Sequence, residues 1–429
     1  MTVVKRRRSL SHVGGEVERW GDREAAAALA QALDVEPASE PAGRGEGEAK
    51  EDDPDRVHVH GFHTYPARMH PATAARLVRA FSDEGATVLD PFCGSGTVLV
   101  EAMLAGRRAV GTDLNPLAVR LAAIKTTPRD AHAREALVGA ARAVAKVADE
   151  RRARRAGATR RYPPEDVATF DPHVLLELDS LRAALADLPD RATSEALGVV
   201  LSAILVKVSR RTSDTTSHAA PRRIAAGYTA KLFVRKAEEL ARRLAAFEAL
   251  LPPGAQPARV AVDDATRLRT VPASTVDAVV TSPPYAGTYD YVAHHALRMR
   301  WLGLDARPLA TGELGSRRRY ARLGGAAEAR ASWERELASA LRAMARVCRT
   351  GARMVLLVAD SAVHGEALRA DAAVATVAPR VGLELMARAS QRRPHFHAPT
   401  QRAFERTPRA EHAILLEKRH AAPGSAAHG

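Results

Sequence analysis

Short apolar runs of strand length occur at residues 86–90, 109–112, 259–262, 276–280, 354–359, 383–389 and 412–417, seven in all. Between them the apolar positions take helical spacing. Ala74, Leu77, Val78 and Phe81 line one face of a helix over 72–81, and further helices are predicted after residue 97 to about Ala105, over 334–347 and over 367–381. Strands alternating with helices predict an α/β protein with a mostly parallel, doubly wound sheet and right-handed crossovers. Residues 127–257 break the alternation with helical stretches at 129–155, 172–188, 193–208 and 230–251. A connection of that size is too long to be ordinary, so this helical insertion is either a target-recognition element or a helical cap or dimerisation element. Between its last two helices lies a polar, basic segment with Arg210, Arg211, Arg222 and Arg223.

The ends lack this order. Residues 1–56 read as a flexible arm with a basic start at Lys5–Arg8, an Ala-rich possible helix near Glu24 to Leu33, and a Pro/Gly/Glu/Asp stretch through Asp55. Residues 420–429 read as a disordered tail. The ordered fold is thereby divided into 57–126 and 258–419, either side of the insertion.

Composition changes the picture in one respect. In 429 residues, 46% hydrophobic, 64 Lys+Arg stand against 50 Asp+Glu for a net charge of +14. Such an excess points to a polyanionic partner, most simply nucleic acid, or else to a solvated basic surface. Cys93 and Cys348 are too few for a disulfide framework or a Cys-rich zinc site. His58, His60, His63 and His70 cluster, yet no carboxylate or cysteine completes a ligand set at helical or hairpin spacing, so no metal is expected. With no apolar run of membrane-spanning length and no signal-like segment, a cytoplasmic protein is expected.

The chemistry gathers at strand ends. Residues 86–90 run into Pro91-Phe92-Cys93-Gly94-Ser95-Gly96-Thr97, a strand, glycine loop and helix of the kind that lets backbone approach a ligand closely. The second strand ends at Asp113, where a carboxylate can accept from both hydroxyls of a ribose. The third ends at Asp263-Asp264. The fourth, Val276-Asp277-Ala278-Val279-Val280, is closed by Thr281-Ser282-Pro283-Pro284-Tyr285. Two prolines stop the ladder, so carbonyls at the strand end face the crevice beside an aromatic ring, which suits a planar group bearing an amine. Tyr289, Asp290, Tyr291, His294 and His295 could border that group, or Tyr291, Leu297 and Trp301 could be packing residues of the next helix.

Asp90-Pro91-Phe92-Cys93-Gly94-Ser95-Gly96-Thr97 together with Ser282-Pro283-Pro284-Tyr285 closely resembles the two motifs of the amino-group DNA methyltransferases that use S-adenosylmethionine. The resemblance covers about 57–126 and 258–419. It implies a seven-stranded, Rossmann-like class I methyltransferase sheet. It also implies that Asp90, Phe92, Gly94, Ser95, Gly96 and Thr97 line the methionine end of the cofactor, Asp113 the ribose, and Asp264 with Ala265 the adenine. Tyr65 and Pro66, in the segment up to Pro71, resemble the family's stretch that closes over the methionine tail. The insertion departs from the pattern, since the recognition region of these enzymes is more often placed elsewhere.

Ser at the head of the catalytic motif is the family's usual form for cytosine N4; Asp or Asn there marks most adenine-N6 enzymes. The resemblance therefore implies a DNA cytosine-N4 methyltransferase of the kind that serves host modification. Adenine N6 in DNA, a base amine in RNA and an inactive nucleic-acid-binding module are the alternatives. In the implied mechanism Ser282 and the Pro283 carbonyl accept from the amine, and Tyr285 stacks on a flipped base. Cytosine-C5 chemistry needs a cysteine after the fourth strand, whereas Cys93 sits inside the glycine loop.

Overall fold

The computed structural model describes residues 16–35, 56–211, 214, 223–393 and 401–418. Lys5–Arg8, the stretch from 36 to 55, Arg222 and the tail fall outside the described residues. The first elements are β1 (Val17–Gly21), α1 (Arg23–Leu33), α2 (Pro71–Phe81), β2 (Thr87–Asp90), α3 (Thr97–Leu104), β3 (Arg108–Asp113) and α4 (Pro116–Thr126). The insertion supplies α5 (Ala131–Ala153), α6 (Pro164–Thr169), α7 (Pro172–Ala186), α8 (Arg191–Leu205) and α9 (Tyr228–Glu248). After it come β4 (Arg259–Val262), β5 (Val276–Thr281), α10 (Tyr291–Leu302), α11 (Arg307–Gly312), α12 (Arg317–Tyr320) and α13 (Ala326–Val347). The chain closes with β6 (Cys348–Ala359), β7 (Ser361–Val363), β8 (Glu366–Leu368), α14 (Ala370–Val377), β9 (Leu383–Arg392) and β10 (Ala410–Lys418). No described helix is long and apolar enough to cross a membrane.

The main sheet has the order β1-β9-β10-β6-β5-β2-β3-β4. It has eight strands, not seven. The seven predicted strands are all present, and the eighth, β1, comes from the stretch assigned to a flexible arm. It pairs antiparallel with β9, from Val17 opposite Gln391 to Gly21 opposite Ala387. The Ala-rich helix follows as α1, with Leu29, Ala30 and Leu33 buried, so residues 16–35 are part of the fold. Strands β4, β3, β2, β5 and β6 run parallel, while β10 is antiparallel to both β6 and β9. The helix predicted over 367–381 is shorter, because residues 366–368 pair in the small β7/β8 hairpin before α14 begins.

Both faces of the sheet are covered, as alternation along β6 requires. Val355 and Leu357 point into one cluster, and Met354, Leu356 and Val358 into the other, with α13 and α14. The first cluster also holds α1, α2, α4 and the insertion. Leu137, Val174, Leu178, Leu201, Phe233 and Phe247 of the insertion share it with Leu121 of α4 and with Leu297, Met299 and Trp301 of α10. The Trp301 ring lies between Tyr162, stacked at 5.4 Å, and Phe170, edge-on at 5.5 Å. Arg298, 1% exposed, donates to Asp214 at 2.9 and 3.0 Å and to the Ser202 carbonyl. Leu297 and Trp301 are thus packing residues, and the helix that follows the catalytic loop is docked on the insertion. Of the basic segment, Arg210 is paired with Asp171 at 2.7 Å.

Candidate active site

Strand β2 ends at Asp90 and the chain turns at once through the glycine loop. Gly94 (φ +49°) and Gly96 (φ +86°) both take the left-handed conformation that side chains disfavour. The loop is held by Cys93 N–H on the Thr112 carbonyl (3.0 Å), Gly94 N–H on Asp113 Oδ2 (2.9 Å) and Gly96 N–H on the Cys93 carbonyl (2.7 Å). A Cβ at Gly96 would stand 3.0 Å from Ala122 Cα, and one at Gly94 would stand 3.2 Å from the Tyr65 ring. Gly96→Ala is expected to lower stability by about 1–2 kcal/mol from backbone conformation alone. The crowding against α4 adds to this, and the check is the shift in thermal midpoint.

Above the carboxyl ends of the strands lies a cleft of about 910 Å³. Tyr65, Asp90, Phe92, Gly94, Ser95, Thr97, Asp113, Asp264, Ala265, Ser282 and Pro284 all line it. Gly96 does not; its part is to let the loop enter α3 against α4. Pro283 is buried beside the cleft, and Tyr285 reaches past it. Sequence-distant motifs therefore meet in one cavity.

Two contacts bring them together. Thr281 Oγ1 donates to Asp90 Oδ1 at 2.6 Å, joining the ends of the adjacent strands β5 and β2. At the other end Asp277, the polar interruption in its strand, accepts Thr87 N–H at 2.8 Å. Asp90 also accepts Phe92 N–H at 3.1 Å, yet burial pushes its carboxyl up to about 7. Asp113 accepts Gly94 N–H and, at 2.8 Å, Asn115 N–H; burial raises it to about 6. Burial, with these carboxylates beside it, holds the Cys93 thiol well above its ordinary range, the protonated and unreactive form.

At the far end Asp263 turns inward, accepting Thr270 N–H and Oγ1–H at 2.7 Å. Asp264 faces the cleft and is fixed by Thr266 N–H at 2.9 Å and Thr266 Oγ1–H at 2.7 Å. Tyr65 is clasped between Gly94 and His295, whose ring stacks on it at 4.9 Å. Residues 309–314 lie over the cleft through Leu309, Gly312, Glu313 and Leu314. Glu313 Oε1 accepts Tyr291 N–H at 2.7 Å, which pins this cover to the start of α10. Tyr291 also lines the cleft, while Tyr289 packs on it at 5.5 Å.

Asn115, Thr266 and Glu313 were not singled out by sequence. Asn115 and Thr266 each lie two residues beyond a strand-end aspartate, a spacing that could have marked them; Glu313 carries no local signal. The histidine cluster also changes. Glu101 of α3 brings the missing carboxylate, 2.7 Å from His60 Nε2 and close to His58. Lys125 is buried with no hydrogen-bond partner for its Nζ among the described residues, and burial holds its ammonium well below the ordinary range.

Residues 39–124 match the family described as DNA methylase. Type II methyltransferase M.MvaI of Kocuria varians is 43% identical over 73 residues, 16% of this chain and 16% of that one. A tRNA (guanine(10)-N2)-dimethyltransferase of Methanothermobacter thermautotrophicus is 44% identical over 52 residues, 12% of this chain and 16% of that one. The chain thus matches less than a fifth of the length of these curated relatives. Among solved structures, the rRNA methyltransferase aviRa from Streptomyces viridochromogenes aligns over 87% of this chain and 94% of its own, at 14% identity and a TM-score of 0.34.

Proposed function

We propose that this chain, whose residues 39–124 match the DNA methylase family, methylates the exocyclic N4 amine of cytosine in DNA with S-adenosylmethionine as methyl donor. The observation that carries this reading is the meeting of Asp90, Gly94, Asp113, Asp264 and Ser282 in one cleft. The residues suit the cofactor on their own chemistry. Ser95 Oγ, Thr97 Oγ1 and Glu313 Oε2 are buried around the cleft with no hydrogen-bond partner among the described residues, and the glycine loop leaves room beside them. Asp113 and Asp264 would receive the ribose and adenine ends, and Asp90 with the loop the methionine end. When bound, S-adenosylmethionine supplies a sulfonium-activated methyl group, which an amine lone pair takes while the S–C pair returns to sulfur and one N–H proton leaves to water.

The chain's own part is positioning. Ser282 and the Pro283 carbonyl accept from the amine and favour its lone pair over delocalisation into the ring. The Tyr285 ring supports the base, which must leave the duplex to reach it. A buried, protonated Cys93 has no role in this transfer. The tRNA-methyltransferase relative favours a base amine in RNA as the second reading. Tritium transfer from S-adenosylmethionine to DNA and to RNA, followed by nucleoside analysis, separates the two; labelled N4-methylcytosine from DNA is expected, and no label in either polymer refutes the enzyme.

The cleft carboxyls make cofactor binding depend on pH. Folded values of about 7 for Asp90 and about 6 for Asp113 lie above the ordinary aspartate range. The stability these groups contribute is therefore full below that ordinary range and is lost as pH rises through about 6 to 7. The cationic cofactor prefers the ionised forms, so its affinity moves the opposite way. Calorimetry is expected to show binding tightening by about tenfold between about pH 5 and pH 8 while the cofactor-free protein loses stability. A flat affinity would remove both carboxylates from cofactor binding.

A further inference from the structure

Beyond Ser282–Tyr285 the carboxyl edge of the sheet holds a second polar group that no motif marks. Because β10 runs antiparallel to β6 and Glu411 pairs with Ala359, the residues before Glu411 project past the carboxyl end of β6. Arg409 stands there. Arg393 follows the end of β9 and lies beside it, its N–H donating to the Arg409 carbonyl at 2.8 Å. Tyr285 reaches across β6 to this group, its hydroxyl 3.2 Å from Glu411 Oε1. Arg393 Nε donates to Glu411 Oε2 at 3.0 Å, and Arg409 Nε to the Asp360 carbonyl at 2.8 Å.

Both guanidinium groups are buried, at 4% and 5% exposure, and the Nη1 of each has no acceptor among the described residues. Charged donors left without acceptors in the interior are costly. Arg393 pairs with the carboxylate that anchors Tyr285, and the Arg409 charge acts on the Tyr285 and Tyr289 hydroxyls, as expected where a ligand beside Tyr285 completes the bonding.

The ligand must bring acceptors. Cytosine shows a donor at N4, then acceptors at N3 and O2; adenine shows a donor at N6, an acceptor at N1 and then only C–H. With the amine at Ser282, cytosine but not adenine presents a carbonyl to the arginine side. We propose that Arg409, oriented by Asp360 and Arg393, donates a hydrogen bond to the O2 carbonyl of the flipped cytosine and so determines specificity for cytosine over adenine. This rests on the amino-methyltransferase reading above.

The test uses the full chain, tritiated S-adenosylmethionine and unmodified heteropolymeric DNA, with label assigned to N4-methylcytosine or N6-methyladenine. The parent is expected to label cytosine. Arg409→Met should cut cytosine labelling by about 10- to 100-fold, the loss of one charged hydrogen bond, and raise the adenine share of the remaining label. Cofactor affinity should stay within about twofold, and Arg409→Lys should recover part of the cytosine labelling. A lost structural support would lower cofactor binding and thermal stability in step with labelling and leave the base ratio unchanged, and that result overturns the proposal. So does a variant that labels cytosine like the parent, or one whose only change is a shallower salt dependence of DNA binding, which would make Arg409 a phosphate contact. A parent that labels adenine refutes this proposal and the cytosine assignment above while leaving the methyltransferase reading standing; a parent that labels neither DNA nor RNA refutes the methyltransferase reading as well.

Discussion

Tyr285→Ala is expected to lower methyl transfer by about 100-fold or more while changing S-adenosylmethionine affinity by less than about twofold. Base–aromatic stacking contributes about 1–3 kcal/mol, and an unsupported base also loses its alignment with the methyl group. The separation from cofactor binding follows from placement, since Tyr285 reaches away from the cleft to Glu411 on β10. Burial and that neighbouring carboxylate push the Tyr285 phenol well above its ordinary range, so it stays protonated and keeps donating. Tyr285→Phe retains the ring and loses the hydroxyl's interactions with Glu411, 3.2 Å away, and with Ser282, for an expected loss of about 2- to 10-fold. Single-turnover transfer and cofactor titration on the same preparations check both. If Phe were as damaging as Ala, the hydroxyl and not the ring would be the working part.

Asp113→Ala is expected to raise the cofactor dissociation constant by about 100-fold or more and to lower stability by about 2–4 kcal/mol. Its two oxygens receive Gly94 N–H and Asn115 N–H, so one carboxylate sets the glycine loop and the start of α4 together. Removing it leaves two backbone donors unpaired at the cleft wall. Asp113→Asn keeps one carbonyl oxygen and should fall between parent and Ala. Calorimetric titration and thermal unfolding supply the numbers; Ala binding the cofactor like the parent would show that the loop is set by its other bonds.

The strands carrying the site were legible because each is a short apolar run ending in a residue that cannot continue the ladder or in a carboxylate. The strand Val17–Gly21 was not, because Val-Glu-Arg-Trp-Gly has little apolar alternation and is stabilised by its partner, β9. Nor was the direction of β10, since the run Ala413 to Leu416 would look the same parallel or antiparallel. Ser282 and Asp90 could be named from local motifs, whereas the Thr281–Asp90 bond depends on β2 and β5 becoming neighbours. Glu411, Arg393 and Arg409 had no such mark. They reach Tyr285 only because β10 returns antiparallel, bringing residues more than a hundred positions away to the same edge. Glu101 escaped notice beside the histidines because it lies 41 positions from His60, on α3, and meets it only in the packed fold.

The insertion's helices predicted themselves well, but a run of Ala- and Leu-rich amphipathic helices reads alike whether it packs on itself or on a neighbour. In the fold it packs on a neighbour, through Trp301, Leu297 and Arg298 of α10. This protein is consequently a poor candidate for cassette exchange. Excising residues 127–257 would strip apolar cover from the helix that follows the catalytic loop and leave the Arg298 guanidinium without its Asp214 and Ser202 partners. New behaviour in that region is better sought by changing side chains on the outward faces of α5 and α9 than by swapping the segment for a foreign one.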